Sequence, residues 1–62
     1  MKRFKVISSE HAGCEYIGRV FTGPVVVKLG WRDLNEGLKL LFYIDLGQQV
    51  VDDDGWVWER IE

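Results

Sequence analysis

The longest apolar stretch of the chain, Leu38–Leu46, reads LKLLFYIDL. Apolar side chains occupy alternate positions in it: Leu38, Leu40, Phe42, Ile44 and Leu46. The intervening positions are mixed: Lys39, Leu41, Tyr43 and Asp45. Successive side chains of a strand point to opposite faces of a sheet, so this pattern predicts a β-strand. We expect this strand to be central, with every other strand packing against it.

Other short apolar or alternating runs predict the remaining strands. They are Arg3–Ser8, Glu15–Phe21, Val25–Leu29 and Trp56–Ile61, with Gly47–Val51 as an extension of the central strand after a kink. The three consecutive valines of the third run favour a strand because β-branched side chains lower helix propensity. An isolated glycine inside a strand marks a bulge or bend, so Gly18 is predicted to sit where a Cβ would clash.

Turn signals separate these runs. Thr22-Gly23-Pro24 predicts a turn, and residues 30–37 form the longest connection, with room for one helical turn over Asp33–Glu36. Asp54-Gly55 closes an acidic turn in the order that suits a positive φ. The chain is therefore predicted to be one all-β domain over residues 1–62, a five-stranded, strongly bent antiparallel sheet closing into a small SH3-like barrel. Its predicted core is Phe4, Val6, Val20, Val27, Leu40, Phe42 and Ile44.

Composition narrows the class of protein. Sixty-two residues allow one domain with a small core, and 47% apolar residues argue against a disordered chain. The net charge of −2 gives no general attraction to nucleic acid or to an anionic membrane. Cys14 is the single cysteine, so no disulfide forms within the chain. With neither a signal peptide nor an apolar run of membrane length, we expect a complete, cytoplasmic gene product.

Three stretches follow one another in a familiar order: Phe4-Lys5-Val6-Ile7-Ser8, Tyr16-Ile17-Gly18-Arg19-Val20 and Val25-Val26-Val27-Lys28-Leu29. In this order they resemble KOW-type SH3-like barrels, over about half of the chain. The resemblance implies a small barrel, from a family that often binds RNA or transcription and ribosomal proteins. The chain departs from the family in its acidic balance and in a first loop that holds Glu10, His11 and Glu15 instead of basic residues. The resemblance therefore bears on the fold more than on the function.

Catalytic and metal-binding patterns are sparse. His11, Cys14 and Glu15 bring together a nucleophile and a base, but one His and one Cys do not make up a metal site. They are interpreted as loop residues, with the cysteine packed as a small apolar group. The run Asp52–Asp54 has oxygen ligands for a hard cation but lacks a later bidentate Glu, and is interpreted as a solvated turn. We predict no enzyme, no cofactor and no bound metal.

The aromatic residues are the main candidates for a binding site. The relevant set is Trp31, Tyr43, Trp56 and Trp58. Two interpretations stay open. Either these rings cap one end of the barrel and supply its core, or they form an exposed patch rimmed by Asp52, Asp53, Asp54 and Arg60. Because Trp, Tyr and Arg dominate interface hot spots, the second interpretation predicts at least one exposed tryptophan on a partner-binding face.

The predicted function is a small non-enzymatic protein-binding module. It would act as an accessory or phage-type regulator that docks on a larger host complex and modulates or inhibits it. The alternative is a KOW-like module that binds nucleic acid or the transcription and translation machinery through one basic outer surface: Lys2, Arg3, Lys5, Arg19 and Lys28. A third class is an assembly subunit that forms homo-oligomers through exposed strand edges.

Overall fold

A computed structural model describes residues 2–9 and 15–62 of the chain. In these ranges the elements follow the order β1 (Arg3–Ser8), β2 (Val20–Thr22), α1 (Gly23–Gly30), α2 (Leu34–Tyr43), β3 (Gln49–Val51) and β4 (Val57–Arg60). The four strands form one open antiparallel sheet in the order β2-β1-β4-β3. The described residues thus build a small mixed α/β domain. The prediction of an all-β, five-stranded SH3-like barrel is wrong.

The first and last predicted strands are confirmed. β1 has the predicted bounds, and β4 lies within Trp56–Ile61. These two strands pair at the centre of the sheet, with Val6 opposite Trp58 and a register shift between Val6 and Ser8. The predicted extension at Gly47–Val51 contains β3, and the acidic turn that follows has Gly55 at φ +87°, as its Asp-Gly order predicts.

The second predicted strand is mostly a turn. Residues 15–18 form a turn, and β2 occupies only Val20–Thr22. Gly18 lies in that turn with φ +89° and has nothing within 4 Å of the position a Cβ would take. The sharp bend predicted at this residue is therefore present. Its cause is the backbone angle, however, and not the predicted steric clash.

The third predicted strand, Val25–Leu29, is helical and belongs to α1. Pro24 suits the first turn of a helix because its fixed φ is already helical and its missing N–H would have no partner there. Val26, Val27 and Gly30 are buried on one side of the helix. Burial at this spacing overrides the weak strand preference of a valine run, because most helix stability in proteins comes from packing.

The predicted central strand, Leu38–Leu46, is mostly the helix α2. Asp33 caps its first turn, since its Oδ1 accepts hydrogen bonds from the backbone N–H of Asn35 (3.0 Å) and Glu36 (3.2 Å). The helical turn allowed at Asp33–Glu36 thus continues through Tyr43. A stretch in which nearly every residue is apolar satisfies a helical period as well as a strand period, so periodicity alone could not decide.

Both helices pack on one face of the sheet. The buried core is formed by Phe4, Val6, Val26, Val27, Trp31, Leu41, Ile44 and Trp58. Four of the seven predicted core residues are confirmed: Phe4, Val6, Val27 and Ile44. Val20 is exposed because it lies opposite Lys5, on the sheet face away from the helices. Leu40 and Phe42 are exposed because they lie on the flanks of α2.

The two helices span 8 and 10 residues. Within the described ranges, no helix has the length and apolar character needed to cross a membrane.

Candidate partner-binding surface

Asp52, predicted as part of an exposed acidic rim, is buried. Its Oδ1 accepts hydrogen bonds from the backbone N–H of Asp54 and of Trp56, both at 2.9 Å. Its Oδ2 accepts a hydrogen bond of 2.8 Å from the indole Nε1 of Trp58. Buried carboxylates need such donors because an unpaired buried charge is very costly. This side chain therefore organises the turn and anchors Trp58.

Two hydrogen bonds join the same turn to the end of α1 and the connection that follows it. The backbone N–H of Asp53 donates to the carbonyl of Gly30 (3.0 Å), and the Asp53 Oδ2 accepts from the backbone N–H of Arg32 (2.9 Å). Among the three aspartates, only the Asp54 side chain accepts no hydrogen bond from another described residue, and it is exposed. Within the described residues, no group of three His, Cys, Asp or Glu side chains could hold a metal ion. The three carboxylates thus do not form one acidic face.

The predicted aromatic face is divided between the core and a partly exposed cluster. Trp58 is fully buried and Trp31 nearly so, which supports the core interpretation for these two rings. The ring centroids of Trp56 and Trp58 lie 5.9 Å apart, so the two rings are neighbours, although β4 begins at Val57 and Trp56 precedes it. Trp56 is only partly buried and stands 5.5 Å from the ring of Tyr16. All three tryptophans are buried or partly buried, so the exposed tryptophan that the second interpretation predicts is not found.

Tyr43 and Arg60 lie away from this cluster. Tyr43 is on α2, where its ring meets the edge of Phe42 with centroids 5.2 Å apart. Val50 and Val6 lie opposite Trp58 on the two neighbouring strands. The Arg60 Nη1 donates to the carbonyl of Ile44 at 2.9 Å, so this guanidinium stabilises the segment after α2.

The basic residues do not assemble into one surface. Arg3 and Lys5 alternate with the buried Phe4 and Val6, so they lie on the open face of the sheet. Lys28 is exposed on α1, in the layer that covers the opposite face. The expectation that these three cations share an outer surface is therefore wrong.

The other two basic residues stand beside aromatic rings. The Arg19 guanidinium lies 5.3 Å from the ring centroid of Tyr16. The Lys2 ammonium lies 4.7 Å from that of Phe42 and donates a hydrogen bond to the Phe42 carbonyl. Contacts of this kind hold each cation against a ring. Both side chains are therefore engaged within the chain and separate from Arg3 and Lys5.

Sequence reasoning missed an apolar row along α2. Leu34, Leu38 and Phe42 follow one another at a spacing of four residues, which places them on one flank of a helix. All three are exposed, Phe42 to 68%. The row borders a cavity of about 170 Å³ lined by Lys2, Phe4, Gly23, Pro24, Leu38, Leu41 and Phe42. The capping aspartate before Leu34 and this helical spacing are the signals that would have revealed it.

Most of the loop group of His11, Cys14 and Glu15 lies outside the described residues. His11 and Cys14 lie outside the described residues, and Glu15 is exposed in the turn before β2.

Comparison of the chain with protein-family models, with curated protein sequences and with solved structures gives no match. The resemblance to KOW-type modules stays a prediction. One of the three stretches that carry it, Val25–Leu29, is helical.

Proposed function

We propose that this chain is a small non-enzymatic protein-binding module that docks through the flank of α2 defined by Leu34, Leu38 and Phe42. The observation that carries the proposal is the exposure of this apolar row beside a cavity with apolar walls. Contiguous exposed apolar patches on small proteins commonly mark interaction sites. Phe is among the residue types that are enriched at the cores of protein interfaces.

The energetics favour a partner with a complementary apolar ridge. Fully burying a Leu or Phe side chain is worth about 1.5–3 kcal/mol, so three such side chains supply a substantial driving force. Lys2 would orient the partner on this surface, because its ammonium beside Phe42 puts a positive charge at the rim of the cavity. A carboxylate on the partner would complement that charge. The partner is thus proposed to be a larger protein that inserts apolar side chains next to an acidic residue.

For the wider role we keep the prediction from the sequence. The module is a cytoplasmic accessory or phage-type regulator that binds a larger complex and modulates it. The exposed apolar row supports the protein-binding part of this role. The nucleic-acid alternative needs several phosphate contacts on one face, and the basic side chains lie in different layers. We therefore favour protein binding.

The test is an affinity pull-down from the native host with identification of the bound protein, repeated with surface variants. Phe42→Glu and Leu38→Glu each place a charge in the apolar row, whereas Asn35→Glu adds the same charge to an exposed position of the same helix. Loss of a hot-spot side chain weakens binding by about thirtyfold or more. We expect that loss for the first two variants and near-parental binding for the control. Thermal melts establish that all three remain folded.

Two results would count against this proposal. A partner that binds Phe42→Glu as tightly as the parent would place the docking surface elsewhere. Binding that falls steeply with salt and disappears after nuclease treatment would favour the nucleic-acid alternative.

A further inference from the structure

β3 forms one edge of the sheet, with β4 as its neighbour on the inner side. The Arg60 N–H donates to the Gln48 carbonyl, and the Asp52 N–H donates to the Trp56 carbonyl. Since the main chain of a strand alternates in direction, residues 48, 50 and 52 face β4. The N–H and C=O groups of Gln49 and Val51 therefore point to the open side. No described residue bonds to them there.

This edge is short, at three residues, but its exposed positions carry neither charges nor prolines. Natural edges are blunted by charges, prolines or bulges at the exposed positions. The segment Gly47–Val51 contains no charged residue and no proline. The other edge differs, because α1 begins directly after β2.

Exposed apolar side chains flank the β3 edge on both sides of the sheet. Val51 is 60% exposed, Tyr43 72% and Leu46 66%. Between α2 and β3 lies a cleft of about 320 Å³ lined by Leu40, Tyr43, Ile44, Gln48, Gln49 and Val50. A strand added at this edge would extend the sheet and bring its inward side chain to the mouth of this cleft.

We propose that two copies of this chain associate through antiparallel pairing of their β3 strands around a two-fold axis at Val50. In this register Gln49 of one copy lies opposite Val51 of the other. Each such pair exchanges two N–H···O=C bonds, so all four outward groups of each copy find partners. Val50 meets its own counterpart on the inner face, next to the cleft that Tyr43 lines.

Symmetry and charge favour a second copy as the occupant. The outward residues are placed symmetrically about Val50, so the edge is complementary to itself, as a two-fold interface requires. The uncharged segment Gly47–Val51 lets two chains of net charge −2 meet without opposing like charges along the paired residues. At the far edge α1 follows β2 directly, so we expect no second pairing surface there, and association closes at a dimer. The apolar row of Leu34, Leu38 and Phe42 lies on the other flank of α2 and stays available.

The first test measures mass against concentration by analytical ultracentrifugation, from the micromolar to the millimolar range. We expect the parent to shift from monomer to dimer. Val51→Pro removes an outward N–H and no internal hydrogen bond, so dimerisation should weaken about tenfold or more. Val20→Pro is the matched control, because its N–H points outward at the opposite edge, and it should dimerise as the parent does.

The second test examines the register between the two β3 strands. Its result does not depend on whether the proline variants fold. In a Cys14→Ser background, Val50→Cys places two thiols directly opposite each other across the axis, at a spacing that suits a disulfide. Gln49→Cys places its thiol opposite Val51. Under mild oxidation we expect rapid covalent dimers from Val50→Cys and slow ones from Gln49→Cys. A parent that stays monomeric throughout the range, or equal cross-linking of the two variants, would overturn the proposal.

Discussion

The indole N–H of Trp58 donates a hydrogen bond of 2.8 Å to the Oδ2 of Asp52, and both side chains are buried. The other carboxylate oxygen holds the turn that leads into β4, through the backbone of Asp54 and Trp56. One acidic side chain therefore connects the largest buried ring to the turn between β3 and β4. A residue that the sequence suggested as a surface contact is instead part of the interior.

Asp52→Asn should destabilise the fold by about 1–3 kcal/mol. With Oδ1 still accepting from the turn, the amide nitrogen would face the indole N–H, and two donors would oppose each other in a buried site. Urea denaturation should show a lower midpoint with an unchanged slope. Asp54→Asn, at an exposed position, should stay within about 0.5 kcal/mol of the parent.

A double-mutant cycle isolates the pair. Trp58→Phe removes the indole donor, so adding Asp52→Asn to it should cost less than Asp52→Asn alone. The expected interaction energy is about 0.5–3 kcal/mol. Additive effects of the two substitutions would mean that the hydrogen bond contributes nothing to stability.

Gly30→Ala should destabilise although alanine is the better helix former. A Cβ at this position would lie 2.3 Å from Asp52 Oδ2 and 2.7 Å from Asp52 Cβ, so the acidic turn would have to move. Overpacking of this kind costs about 1–3 kcal/mol. Gly23→Ala in the same helix is the control, because its Cβ would make an ordinary contact of 3.6 Å with Phe4. Thermal melts of both variants should separate them by several degrees.

Phe42→Ala should leave the fold intact, in contrast to the expectation that places Phe42 in the core. Its ring is 68% exposed and contacts only Lys2 and Tyr43 among the ring contacts of the described residues. We expect a change in unfolding free energy of less than about 1 kcal/mol. Phe4→Ala removes a fully buried ring and should cost about 3–5 kcal/mol. If denaturant melts gave the two variants equal losses, the placement of α2 would be wrong.

Gly18→Val should destabilise by about 1–2 kcal/mol, because a β-branched residue resists the positive φ of this turn. Asparagine tolerates such angles better, so Gly18→Asn should recover part of the loss. Space for a side chain is present, so the backbone angle alone should set the order of the two variants. Equal stability of glycine, asparagine and valine in a chemical melt would contradict this explanation.

Only part of the candidate surface could be predicted from the sequence. Their spacing of two residues predicts that Trp56 and Trp58 are neighbours, and their ring centroids lie 5.9 Å apart, although β4 begins at Val57. Whether those rings face solvent depends on the chain that covers them, and local spacing carries no such information. The apolar row of α2 was read as a strand face because Leu38 and Phe42 fit both spacings. The Asp33 side chain, which caps the first turn, favours the helix.

By itself the sequence determined the two central strands. Polar and apolar side chains alternate from Arg3 to Val6, and the strand-favouring Trp56, Val57 and Trp58 follow the acidic turn directly. The sequence also determined the acidic turn, whose Asp54-Gly55 order suits a positive φ. The tertiary structure decided the state of the valine run and of Leu38–Leu46, which carry too few polar residues to select a period. One sheet face needed an apolar cover, and two short helices provide it. That packing also determined which side chains were left exposed as a candidate docking surface.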